Sequence, residues 1–213
     1  KDTMANLRFQ KQFDVFPVLL MGVGYFVLAI ISIYFSRGAG DVAHFWYPNA
    51  IGIAFLLFYG EQFRWRLLAV LAASNFLANW VAGSSWWLSA TFVIPNVVEM
   101  VLATWLARHF QVVHDFDQSP QKMLRFILLI CLFPSAAGAL AGASLISFLE
   151  FSPFLPILLM WFVSSSVGML SLLPLLLVFR RDRNLIGLRT TTRRRLLLYV
   201  AIVCLSTYFA LRY

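Results

Sequence analysis

WWLSATFVIPNVVEMVLATWLARHF, residues 86–110, is apolar along nearly its whole length and long enough to cross a bilayer. Pro95, Asn96 and Glu99 sit near its middle. Glu99 is the only carboxylate placed deep inside any apolar run of this chain. An ionisable side chain at that depth costs about 2.5–3.5 kcal/mol on insertion scales, so it turns toward a protein interior or a wet cavity. The rest of the chain reads as the wall around that group.

Composition agrees. Of 213 residues, 61% are hydrophobic and 12% charged, an apolar excess that points to a membrane protein. The net charge of +8 would suggest a nucleic-acid partner in a soluble chain. Here the arginines lie between apolar runs, where they report topology and contact with lipid headgroups, not nucleic acid. Cys131 and Cys204 both fall within apolar runs and read as small buried hydrophobes.

Outward from the central stretch, the pattern predicts an all-α, polytopic transmembrane bundle of about seven spans in a single domain, residues 1–213. Span one is Phe16–Phe35, with no cleavage pattern after it. Span two, Trp46–Tyr59, and span three, Leu67–Val81, are short against the usual ~20 residues. Span four is Trp86–Ala107, span five Met123–Phe148, span six Pro156–Phe179 and span seven Leu196–Leu211. Pro95, Pro134 and Pro174 supply places to bend. Gly138 and Gly142 have the spacing that lets helices approach closely, so the Gly/Ala/Ser face of span five reads as packing.

Charge bias sets the orientation. With the N-terminus cytoplasmic, the inner segments hold Lys1, Arg8, Lys11, Arg64, Arg66, Arg108, Lys122, Arg125 and the seven arginines from Arg180 to Arg195. Only Arg37 and Arg212 fall outside, a distribution that favours seven crossings over a re-entrant pair at spans two and three. An odd count leaves Tyr213 outside. The chain also begins at Lys1, so the reading expects a piece of a longer protein.

Candidate site residues cluster by depth. Asn96 and Glu99 are three apart and share a face. No lysine or arginine lies at similar depth, which leaves Asn75, Asn79, the serines at 164–166 or an inward-turned His44 as partners for Glu99. One reading is a structural carboxyl that ties helices together; the other is a ligand or proton site. Trp46 and Pro48 are expected either at an aromatic belt and helix start or on the lip of a binding cavity. Asn75 and Asn79, four apart, suit interhelical hydrogen bonding. His109, His114, Asp115 and Asp117 read as a solvated loop in preference to a metal site. No P-loop, dinucleotide fingerprint, nucleophile elbow or zinc motif is present, and no cofactor is named by the residues.

Taken together, the segments Phe45-Trp46-Tyr47-Pro48-Asn49-Ala50-Ile51-Gly52, Gly60, Trp65, Asn75 to Trp80, Asn96-Val97-Val98-Glu99 and Trp161 through Gly168 to Pro174-Leu175-Leu176-Leu177 resemble the bacterial membrane-associated sensor family called MASE, type one. The resemblance runs from about Phe16 to Phe179. It implies an inner-membrane, multi-pass input domain at the N-terminus of a signalling protein. Outputs in that family are diguanylate cyclases, cyclic-di-GMP phosphodiesterases and histidine kinases, and no signature of these occurs here. The family's Trp-Pro element maps onto Trp46 and Pro48, and its Asn-x-x-Glu element onto Asn96 and Glu99. Its last element often has an acid three residues before the glycine; this chain has Ser165 there. Expected ligand-site residues are therefore Glu99, Asn96, Trp46, Pro48, Asn75, Asn79 and Ser165. Expected partners are the bilayer, a small molecule or membrane protein, and a second copy through the parent protein. A small transporter and a membrane anchor for a partner protein are the competing functions.

Overall fold

The computed structural model of the chain describes residues 15–36, 42–59 and 64–181, and its regular elements are helices. They are α1 (Val15–Ser36), α2 (Pro48–Phe58), α3 (Arg64–Val81), α4 (Trp86–His109), α5 (Pro120–Phe126), α6 (Phe133–Glu150) and α7 (Phe154–Arg181). Among the described residues four stretches are long and apolar enough to cross a bilayer: Pro17–Ser36, Trp86–His109, Pro120–Glu150 and Phe154–Arg180. The predicted seventh span, Leu196–Leu211, lies outside the described residues.

The expected spans one, four and six appear as α1, α4 and α7 with ends shifted by a few residues. Span five is α5 and α6, joined by a π-helical turn at Ile127–Leu132. That turn explains how Pro134 is accommodated. Proline has no N–H to donate, and its ring would collide with the carbonyl four residues back, at Ile130. A wider turn just before it moves that carbonyl away, and the Phe133 N–H donates to Leu128, five residues back.

Span two departs from expectation. Only Pro48–Phe58 is helical, 11 residues long. At 1.5 Å per residue it covers about 16 Å, roughly half the ~30 Å of a hydrocarbon core. Before it, Val42 to Tyr47 are not helical, with a bend at His44, and all but His44 are buried. Trp46 and Tyr47, read as headgroup-level anchors, are 8% and 9% exposed. The Trp46 N–H donates to the Ser164 carbonyl at 3.2 Å, ten residues and so about 15 Å into α7. Irregular backbone survives at such depth only where protein surrounds it. Where the second span was expected there is thus a buried non-helical leg followed by a half-length helix.

α2 is the axis of the bundle. It touches α1, α3, α4 and α7, and none of its residues is exposed. An element apolar on all sides belongs in the middle. Glycines make the packing close. A Cβ at Gly168 would stand 1.9 Å from the Trp46 carbonyl oxygen, and one at Gly52 2.4 Å from the Met100 sulfur. Gly142 accepts the face of the Trp161 ring, with carbon atoms 2.7 Å from where its Cβ would be. The loop after α4 is less solvated than predicted: Val112 and Phe116 are buried, and Phe116 stacks on Phe126 with centroids 4.5 Å apart.

Candidate functional site

Glu99 is fully buried on α4, where α2, α6 and α7 converge. The Pro95 ring, one turn earlier, removes a backbone donor from this part of α4. Asn96, the next residue, gives Nδ2 to the Phe92 carbonyl at 2.8 Å. The Asn96 Oδ1 then faces the bundle axis.

Three donors surround the Glu99 carboxyl. Ser135 Oγ of α6 donates to Oε1 at 2.9 Å. Ser165 Oγ of α7 donates to Oε2 at 2.9 Å, and Asn49 Nδ2 of α2 donates to the same oxygen at 2.8 Å. The second Asn49 N–H serves Asn96 Oδ1 at 2.8 Å. Asn49 is the second residue of α2, so the half-length helix begins where the carboxyl lies.

The chain of bonds continues away from Glu99. Tyr25 of α1 donates its hydroxyl to Asn49 Oδ1 at 2.9 Å. Asn75 of α3 donates Nδ2 to the Tyr25 oxygen at 3.1 Å. Asn79 closes it, giving Nδ2 to the Asn75 carbonyl at 3.0 Å. A single buried network therefore links α1, α2, α3, α4, α6 and α7. Fully satisfied polar networks of this kind fix one arrangement of a core, because an unpaired member in low dielectric is expensive.

A small cavity of about 30 Å³ lies against the network, with room for about one ordered water. Trp46, Asn79, Phe92, Asn96, Trp161, Ser164 and Ser165 line it. Phe92 and Trp161 meet across it with centroids 5.7 Å apart. The Ser164 hydroxyl is buried without a hydrogen-bond partner.

Of the expected site residues, Glu99, Asn96 and Ser165 are joined directly or through Asn49. Asn75 and Asn79 reach Glu99 only through Tyr25 and Asn49. Trp46 walls the cavity, and Pro48 opens α2. Two expectations need correction. His44 is exposed and donates Nδ1 to the Ser36 carbonyl at 2.5 Å, so it does not reach inward. Ser135, assigned to a packing face, bonds Glu99. Its neighbour Gly138 keeps that face open: a Cβ there would lie 3.2 Å from Glu99 Oε2.

Asn49 and Ser135 escaped sequence reasoning as partners of Glu99, and Tyr25 as the link from Asn49 to Asn75. Asn49 had a visible signal, as the one strongly polar side chain in PNAIGIAFLLF. Tyr25 had a weaker one, a lone tyrosine mid-span. Ser135 had none, being one of several small residues in a row.

Comparison with known proteins places this architecture. The chain is 27% identical over 171 residues to the Escherichia coli (strain K12) protein named probable diguanylate cyclase DgcE. That alignment covers 77% of this chain, which spans only 15% of the length of that relative. No solved structure matches. The family model MASE1 matches residues 17–211, nearly the whole chain. The chain belongs to the MASE1 family of membrane sensor domains.

Proposed function

We propose that residues 1–213 form the sensory input domain of a bacterial inner-membrane signalling protein, and that the network around Glu99 is its responsive element. One observation carries the reading. A carboxyl with no cation in reach among the described residues is held by donors from three other helices, so any change in their spacing changes its hydrogen bonds. A signal shifts such a bundle only if it binds two arrangements unequally. The cavity at Trp46, Asn96 and Ser165 has room for about one water, and three of its wall residues, Asn79, Asn96 and Ser165, also hold the network, so a shift of the helices around it is felt there directly.

In this reading the chain crosses the membrane seven times with its N-terminus in the cytoplasm. The placement of fifteen of the seventeen lysines and arginines supports it. So does the broken second crossing: Phe58 at its end lies under the Arg180 guanidinium, 5.5 Å from the ring centroid, at the C-terminal end of α7. The output is a cytoplasmic module of the parent protein, a diguanylate cyclase or histidine kinase, acting as a homodimer. Partners are the bilayer and a small ligand or membrane protein.

Glu99→Gln in the full-length parent tests this. The variant inserts normally and its output no longer follows inducing conditions. Wild-type output across those conditions overturns the role of Glu99. An interrupted crossing with polar groups at mid-depth also occurs in secondary transporters. A proteoliposome flux assay separates the two, because a sensor moves no solute.

A further inference from the structure

A second recess, of about 470 Å³, opens where the end of α2, the start of α3 and the end of α4 meet. Arg64, Arg108 and His109 line it and, among the described residues, no carboxylate does. Arg108 is held in place by donating Nη2 to the Leu56 carbonyl at 2.6 Å. His109 stacks on Trp105 with centroids 5.1 Å apart. The Arg64 guanidinium lies 5.0 Å over the Trp65 ring, and its buried Nε makes no hydrogen bond. The two lips are indoles: Trp65 is 69% exposed and Trp105 54%. Indoles with one apolar and one polar edge settle at the level of lipid headgroups. From this mouth α4 presents Ile94, Val98, Val101 and Trp105 outward at helical spacing, an apolar track back toward the middle of the bilayer.

We propose that this recess binds the phosphate headgroup of an anionic phospholipid, with an acyl chain along the α4 track. Guanidinium groups match phosphate in shape and charge, and the Arg64 Nε, buried without a hydrogen bond, gains an acceptor on binding. The apolar track and the paired indoles favour a lipid over free phosphate, which uses neither. The site stands independently of Glu99. It bears on the same helix, so an occupied recess braces the end of α4.

Native mass spectrometry of the full chain in detergent, given phosphatidylglycerol or phosphatidylcholine, tests the proposal. The anionic lipid is retained in preference, and Arg64→Gln lowers that preference by about five-fold, the worth of one arginine near a headgroup. Arg64→Lys keeps part of it. Val101→Trp fills the recess from the lipid side without altering charge and also removes the preference. Arg180→Gln deletes the same charge outside the recess and leaves it intact. Equal losses from Arg64→Gln and Arg180→Gln overturn the site in favour of bulk charge. So does an unchanged preference in Val101→Trp. Displacement of the lipid by equimolar inorganic phosphate assigns the recess to a soluble anion and overturns the lipid.

Discussion

Two polar neighbourhoods of α4, about 14 Å apart along the helix, are built on opposite plans. Around Glu99 the carboxyl is buried and accepts three hydrogen bonds, and the free space beside it holds little more than one water. Around Arg64 and Arg108 the groups are cationic and partly exposed, and they border a recess of about 470 Å³. The first region is specified by its own side chains. The second is completed from outside. The difference teaches where each kind of mutation will register: in stability and coupling at Glu99, in ligand retention at Arg64.

The largest effect tests the frame that presses the non-helical leg against α7. Gly168→Ala places a methyl inside the Trp46 carbonyl, backbone against backbone, with no side chain free to yield. We expect a loss of about 3 kcal/mol or more, read as loss of the folded fraction on thermal unfolding in detergent. Gly142→Ala meets a ring that can rotate and should cost less.

Next come two substitutions that separate volume from hydrogen bonding. Glu99→Ala strands the donors of Ser135, Ser165 and Asn49, at about 1–3 kcal/mol for a group left buried and unpaired. Glu99→Gln retains an acceptor for Asn49 and Ser165. Its new N–H₂ meets Ser135, whose hydroxyl can turn to accept. Unfolding curves should place Glu99→Gln within about 1 kcal/mol of wild type and Glu99→Ala well below it. Equal losses would mean that volume, not hydrogen bonding, holds this site.

Tyr25→Phe removes two links in the middle of the network, to Asn49 and from Asn75. Interhelical hydrogen bonds in membranes average about 0.6 kcal/mol, and a loss of about 1 kcal/mol for the two is expected from equilibrium unfolding. The smallest effect sharpens the contrast: Arg64→Gln should change stability by no more than about 0.5 kcal/mol while altering lipid retention.

The sequence carried the long apolar rods well, because hydropathy over twenty residues survives any detail of packing. Phe16–Phe35, Trp86–Ala107 and Pro156–Phe179 were all legible. It also pointed to Glu99, Asn96 and Ser165, as polar groups too deep for lipid. The break in the expected second span was not legible. A non-helical leg and a helix are equally apolar, and Phe45-Trp46-Tyr47 has the composition of a headgroup belt whether it lies at the surface or inside. Only Pro48, which suits a helix start, marked the join. The partners of Glu99 were harder still, since a serine among glycines and alanines looks like packing until the facing helix is known.

The central claim is that the bonds through Asn49 and Glu99 make α1 and α7 parts of one unit. A double-mutant cycle between Tyr25→Phe and Ser165→Ala, read by equilibrium unfolding in bicelles, tests it most directly. The account predicts an interaction energy of at least about 0.5 kcal/mol, because each mutation loosens the groups the other relies on. Additivity within about 0.3 kcal/mol would show two independent contacts and contradict it.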